Sequence, residues 1–357
     1  ARPFFIFKMN SVTILLVMLK KRITVMKRSL MFLSGAALTL SSLAQWRPDV
    51  LGDGYEMRYV DHPDDYSGQV RSTIIRKLSS CGGNKGVLYV HGFNDYFFQS
   101  EMGDRFVDSC YNFYAVDLRK YGRSLLPGQK PFQVRDMKEY FADIDSAISQ
   151  MKDDGIDEII LMGHSTGGLT TSLYMASNPD SDIRALILNS PFLDWNLSSF
   201  QEKFLVPAVS TIGNAFPDIR IPQGGSSKYA ESVLKQYGGE WDFNTQWKFI
   251  VSPDVDAGWI RAIDMGQGML QNGEDIKIPI LLMHSDRSYK KGDDDTQYAV
   301  TDAVLDVDDI SKYGRRLGWD ITEIKVNGGM HDLVLSKKNV REALYDYIFK
   351  WLDRQGL

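Results

Sequence analysis

Residues 158–176 constrain the fold more than any other stretch. An apolar run, Glu158–Met162 (EIILM), leads into Gly163-His164-Ser165-Thr166-Gly167, and a helical run follows at Leu169–Ala176. A short buried-type run that passes through a tight turn straight into a helix is the unit from which parallel sheets are built. G-x-S-x-G in that setting has a stereochemical purpose. Glycines on either side of the serine let the chain bend sharply and raise the hydroxyl above the sheet edge.

The same rhythm runs through most of the chain. After a β-rich opening (Tyr55–Val60, Gln69–Leu78), strands are predicted at Gly86–His91, Asn112–Asp117, Ala185–Leu188, Ile278–Met283 and Asp320–Val326. Helical spacing is predicted over Met137–Lys152 and Asn339–Leu352, and Arg105–Cys110 reads as part of a helix. Continuous apolar strands separated by helices imply an α/β fold, with a mostly parallel central sheet covered on both faces. Between Asp194 and Asp275 the rhythm stops and aromatics crowd in, among them Trp195, Phe204, Trp247 and Trp259. This stretch reads as a mainly helical cap, 194–275, inserted into a core of 45–193 and 276–357.

A serine becomes a nucleophile only beside a base. Of the five histidines, His331 lies in GGMHDL just past the last predicted strand, where a flexible loop can present it to Ser165. His91 opens a His-Gly turn, His164 sits inside the serine turn and is expected to point away, and His62 reads as a surface residue. The base needs an acid to hold its tautomer. Asp286, which follows the strand IPILLM, is the expected acid. Asp293, Asp294 and Asp295 are nearby rivals in a run that reads as solvated loop, and Asp194 is a second topological option. Two backbone N–H groups must face the developing oxyanion. Thr166, after the serine, and Phe93, in the turn His91-Gly92-Phe93-Asn94, are the expected donors.

The N-terminus reads separately. From Met26 the chain shows a basic pair (Lys27, Arg28), an apolar run Leu30–Leu40 and a small-x-small site, Ser42-Leu43-Ala44, before Gln45. That is the pattern of a secretory signal peptide, with Met26 as the expected start and a secreted or periplasmic product. Residues 1–44 hold seven basic and no acidic residues. Without them, 34 Lys and Arg stand against 46 Asp and Glu, a net charge of −12. Such a surface argues against nucleic acid or an anionic membrane as a partner held by bulk charge. Cys81 and Cys110 lack metal-ligand spacing. Each precedes a predicted strand, so if those strands are neighbours the two thiols can pair in an oxidising compartment.

The pieces VLYVHGFND, YAVDLRKYGRS, LMGHSTGG, LILNSPFLDW, PILLMHSDRS and GGMHD occur in this order from residue 87 to 332. Together they resemble the α/β-hydrolase superfamily, and within it the branch of monoglyceride lipases, lysophospholipases and the serine aminopeptidase domain. The resemblance implies Ser165, Asp286 and His331 as nucleophile, acid and base, and Phe93 and Thr166 as oxyanion donors. It implies ester hydrolysis, on a monoacylglycerol- or lysophospholipid-like substrate, without metal or organic cofactor. The chain departs from the family pattern at Lys120-Tyr121, where Gly-His is usual, at Tyr96, near the place of a common His, and at Ser285-Asp286, one residue shorter than the usual acid motif.

Rival classes remain at this level. A dehalogenase would want Asp at position 165. An exopeptidase would want cap acids for the substrate amine, and Glu231, Glu240, Asp242, Asp254 and Asp256 are available. A binding module on the same fold would usually have lost a triad member.

Overall fold

The computed structural model describes residues 45–198, 200–222 and 225–357, so the signal-peptide reading of 26–44 lies outside the described residues. The body Arg47–Leu357 contains eleven strands and eight α-helices among those residues. A nine-stranded sheet runs in the order β1-β2-β3-β5-β4-β6-β7-β10-β11. Its members are β1 Arg47–Pro48, β2 Glu56–Asp65, β3 Gly68–Lys77, β4 Lys85–Val90, β5 Asn112–Asp117, β6 Glu158–His164, β7 Ile183–Asn189, β10 Ile280–Ser285 and β11 Ile321–Val326. The two N-terminal hairpin strands and β1 pair antiparallel, and everything from β5 to β11 is parallel. The mostly parallel sheet is what the alternation predicts, and the whole is the α/β-hydrolase fold that the motif resemblance implies.

The inner parallel strands are buried along nearly their whole length, because helices cover both faces. On one face Val87, Tyr89, Ile160 and Met162 join Met102 and Phe106 of α1 (Ser100–Asp108) and Leu344 and Ile348 of α8 (Lys338–Gln355) in a single core. The other face takes α2 (Phe141–Asp153), α3 (Thr166–Ser177) and α7 (Val307–Gly314). Here contact is close enough to require glycine. A Cβ on Gly86 would meet Met151 of α2 at 2.8 Å, and one on Gly314 would meet Leu282 of β10 at 2.5 Å.

The stretch between β7 and β10 holds α4 (Val206–Ala215), β8 (Arg220–Ile221), α5 (Lys228–Val233), β9 (Val255–Asp256) and α6 (Ala257–Gln271). The last of these packs on the sheet-covering layer: a Cβ on Gly266 would lie 2.9 Å from Leu173 of α3. The same helix also packs on α4 within this stretch, where a Cβ on Gly213 would lie 2.3 Å from the Ala257 carbonyl. Among the described residues no helix is long and apolar enough to cross a membrane.

β4 and β5 are parallel neighbours, with Val87 opposite Phe113. Cys81 and Cys110 precede them at the same end and form a disulfide, Cα to Cα 5.5 Å. His62, expected at the surface, is instead covered: its side chain is 6% exposed and lies 3.1 Å from Asp143. Burial lowers its pKa, against the pull of that carboxylate.

The chain leaves β4 for β5 on one side and then crosses to β6 on the other. Such a reversal opens a crevice at the carboxyl ends of the strands, the usual place for a ligand in an open α/β sheet. The loops after β4 and β6 both open there.

Candidate active site

β6 ends in the predicted sharp turn. Ser165 has φ 53° and ψ −119°, a left-handed conformation that a non-glycine residue adopts only when its surroundings force it. Close packing explains the forcing. A Cβ on Gly163 would fall 2.5 Å from the Gly167 carbonyl, one on Gly167 would collide with the Val90 and His91 carbonyls, and one on Gly168 would sit 2.7 Å from Pro191. The bend is also tied to β7: Ser165 N–H donates to the Asn189 carbonyl at 3.0 Å, and Phe192 N–H donates to the Ser165 carbonyl at 3.0 Å.

His331 arrives on the loop after β11, 3% exposed. Its Nε2 lies 3.0 Å from Ser165 Oγ, and its Nδ1 lies 3.0 Å from Asp302 Oδ2. The structure thus brings Ser165 and His331 together as expected, but the carboxylate at the far side of the imidazole is Asp302. Asp286 does not reach it. Asp286 is exposed, and its Oδ1 accepts the Gly328 N–H at 3.2 Å. The rivals fare no better. Asp293 pairs with Arg287, Asp294 caps a 3-10 turn, Asp295 meets Lys228, and Asp194 accepts from Trp195 N–H and Gln271.

The reason lies in the path of the loop after β10. It runs out through the charged segment 286–295 and returns, so that Tyr289 N–H donates to the Asp302 carbonyl at 2.7 Å and Asp302 N–H donates to the Arg287 carbonyl at 3.0 Å. Asp302 therefore stands beside the end of β10 although it is sixteen residues beyond Asp286. Its Oδ1 accepts the N–H groups of Val304 at 2.9 Å and Leu305 at 2.8 Å. Burial alone would raise its pKa. The facing His331 and the two N–H donors outweigh burial and hold it below the ordinary carboxylate value. A signal for it was present in the sequence: Asp302 is set in the apolar run AVTDAVL, whereas Asp286 opens a charged run. Only the former can be buried cheaply.

The loop after β4 passes directly against the serine. A Cβ on Gly92 would lie 3.0 Å from Ser165 Cβ. The Phe93 ring packs on Phe132 and Trp259 at 5.0 and 4.8 Å. Thr166 opens α3, where the first N–H groups have no partner within the helix. His91 supports this loop from beneath, its Nδ1 on the Gly92 carbonyl at 2.8 Å and its Nε2 accepting Leu118 N–H at 3.1 Å. His164 does not turn away as expected. It lines the pocket, its ring 4.9 Å from that of His331, with Nδ1 3.1 Å from the Asn189 carbonyl. Burial pushes its pKa down, against the pull of Asp332.

Other residues of the second-strand motif serve as supports. Asp117 accepts Phe97 N–H and is paired with Arg123, which also binds the Phe97 carbonyl and Asp49, all of them buried.

The catalytic pocket has a volume of about 350 Å³ and includes Phe93, Asp95, His164, Ser165, Tyr229 and His331. A second, more apolar cavity of about 510 Å³ adjoins it and shares Val304. Phe192, Trp195, Leu205, Val209 and Ile260 also line it.

Comparison with known proteins bears on family and fold. A family model described as serine aminopeptidase, S33, matches residues 84–290, more than half the chain. A monoacylglycerol lipase from Mycolicibacterium smegmatis is 25% identical over 272 residues, 74% of this chain and 87% of the relative. Among solved structures, a soluble variant of monoglyceride lipase from Saccharomyces cerevisiae superimposes with a TM-score of 0.64 at 20% identity, covering 87% of this chain and 99% of that one. The monoacylglycerol lipase of Paleococcus ferrophilus gives 0.57 at 20% identity, covering 84% and 99%. The last two likenesses bear on fold alone. The family match ends at residue 290, before Asp302. The chain belongs to the serine aminopeptidase family, S33, and is a serine hydrolase of the α/β-hydrolase fold.

Proposed function

We propose that the protein hydrolyses carboxylic esters of one apolar acyl chain, such as monoacylglycerols or lysophospholipids, by acyl transfer to Ser165. The observation that carries this is the unbroken hydrogen-bonded line Ser165 Oγ, His331 and Asp302, both links 3.0 Å. Asp302 holds the imidazole with Nε2 free to take the serine proton. Ser165 Oγ attacks the ester carbonyl, and the N–H groups of Phe93 and Thr166 receive the oxyanion. His331 then protonates the departing alcohol. A water deprotonated by His331 attacks the acyl-enzyme and releases the acid.

The shared wall at Val304 supports a division of the substrate. The acyl chain occupies the apolar cavity, and the alcohol occupies the pocket beside Asp95, Tyr229 and Ser226. The cap acids that an aminopeptidase would need are engaged elsewhere. Glu240 meets Arg341, Asp242 meets Lys235, Asp254 meets Arg220, Asp256 meets Lys130, and Glu231 meets Ser227. None of them lines the serine pocket.

The test is hydrolysis of p-nitrophenyl acyl esters and monoacylglycerols beside aminoacyl amides. Esters are expected to be cleaved in preference, and Ser165→Ala to lose the activity together with fluorophosphonate labelling. Ester activity surviving Ser165→Ala overturns the assignment. Preference for amides overturns the substrate class. Export is part of the same proposal, supported by the sequence pattern of 26–44 and by the Cys81–Cys110 pair. N-terminal sequencing of the product is expected to begin near Gln45.

A further inference from the structure

The loop that carries Phe93 is held from the cap side at three consecutive residues. Asn94 makes a double amide-to-backbone pairing: its Nδ2 donates to the Phe249 carbonyl at 2.8 Å and its Oδ1 accepts Phe249 N–H at 2.8 Å. The same Nδ2 lies 3.2 Å from Ser252 Oγ. Asp95 accepts from Lys248 Nζ at 2.9 Å, the two side chains being 2% and 8% exposed. Tyr96 Oη accepts Asn244 N–H at 2.8 Å. Segment 244–252 is thus a strap bonded along the loop.

Asn94 sits at φ 50°, in the left-handed region that asparagine enters more readily than other side chains, and its double pairing with Phe249 fixes it there. Lys248 also supplies a positive charge to the site. Asp95, His164 and Asp332 bring one ligating atom each within 4.8 Å of one another, all buried. His164 Nδ1 faces a carbonyl and so carries the proton, leaving a lone pair on Nε2. Two carboxylates and a lone pair therefore meet in a buried space, and one oxygen of Asp95 makes no hydrogen bond. Lys248 is the ammonium that reaches this group. Removing it leaves a buried carboxylate uncompensated, which is far costlier than losing a surface pair.

We propose that Lys248, together with Asn94, is a positioning residue for the reaction: the strap 244–252 holds the Phe93 loop against Ser165, so the oxyanion pocket is complete only while the strap is docked. This rests on Ser165 as the nucleophile. Donors stabilise a transition state by being fixed before the charge develops, and here the cap supplies the fixation.

The experiment compares Lys248→Met and Lys248→Arg with the wild-type enzyme on a p-nitrophenyl ester, alongside hydrogen exchange of residues 92–97. Lys248→Met is expected to lower kcat by about 10- to 100-fold, somewhat less than outright loss of an oxyanion donor, with KM changed less than about threefold. Lys248→Arg is expected to recover most of the loss. Exchange in 92–97 should quicken in Lys248→Met while β4 and β6 stay protected. Should Lys248→Met fail to fold, Asp95→Asn with Lys248→Met removes both charges and is read in the same way. A loss confined to KM, or unchanged kcat with unchanged exchange, overturns the proposal. The exchange result is independent of turnover. A wild-type protein that cleaves no ester therefore refutes the ester reading, while the exchange still shows whether the strap holds the loop.

Discussion

Two loops leave β6 and β10, on either side of β7, and supply two members of the same hydrogen-bonded line, yet they are built in opposite ways. The turn at the end of β6 spends five residues, and three of them are sterically constrained: Gly163 and Gly167 have no room for a Cβ, and Ser165 is driven to φ 53°. The loop after β10 makes a long polar excursion before it presents Asp302. In the first, local stereochemistry determines where the functional group stands. In the second, only backbone pairing between residues that are distant along the loop does so. Short, crowded turns are legible from sequence, whereas long excursions hide their functional residue among plausible neighbours.

The sharpest way to break this comparison is to neutralise the two candidate acids. Asp302→Asn is expected to lower kcat by about 10⁴-fold, the size of effect seen when the orienting carboxylate of a triad is neutralised. Asp286→Asn should leave kcat within about threefold, as an exposed substitution does. The reverse pattern in steady-state kinetics would return the acid role to Asp286. A second test addresses the pinned turn. Gly167→Ala would drive a methyl into the Val90 and His91 carbonyls and is expected to cost about 1–3 kcal/mol or more in chemical denaturation. A wild-type midpoint would mean that the bend is less crowded than its packing implies.

A third test concerns the end of the sheet remote from both loops. Replacing Cys81 and Cys110 by serine opens a disulfide spanning 29 residues and is expected to cost about 3 kcal/mol of stability. Because the bridge lies at the opposite end of β4 and β5, kcat/KM should not change. The smallest effect is in pH. The Asp302 carboxyl is held below its ordinary value, so the folded state binds its proton less readily than the unfolded chain. The stability it contributes is present above the unfolded pKa and is lost as pH falls through the folded one. The stability gap between wild type and Asp302→Asn at pH 7 should therefore shrink below about pH 4. A gap that is constant with pH would remove the electrostatic account of Asp302.

The supports of the site were legible in proportion to how local they are. His331 was found because a Gly-Gly-Met-His turn after the last strand has few other uses. The Asp117–Arg123–Asp49 group is only partly visible, since nothing in YAVDLRKYGRS says that Asp49 lies against Arg123. Likewise, no pattern links Asp95 with Lys248, 153 residues apart.

Strand order along the chain, both faces of the sheet, the serine bend and the base were determined by the sequence itself. Each follows from periodicity or from the stereochemistry of a few adjacent residues, which act whatever the rest of the chain does. The tertiary structure decided which aspartate faces His331, that the His62 side chain is covered and His164 turned toward the site, and that segment 244–252 is bonded along residues 94–96. Those outcomes depend on which distant groups are brought within 3 Å in a low-dielectric interior. There, a buried charge must find its partner, and the partner's distance along the chain has no bearing on the match.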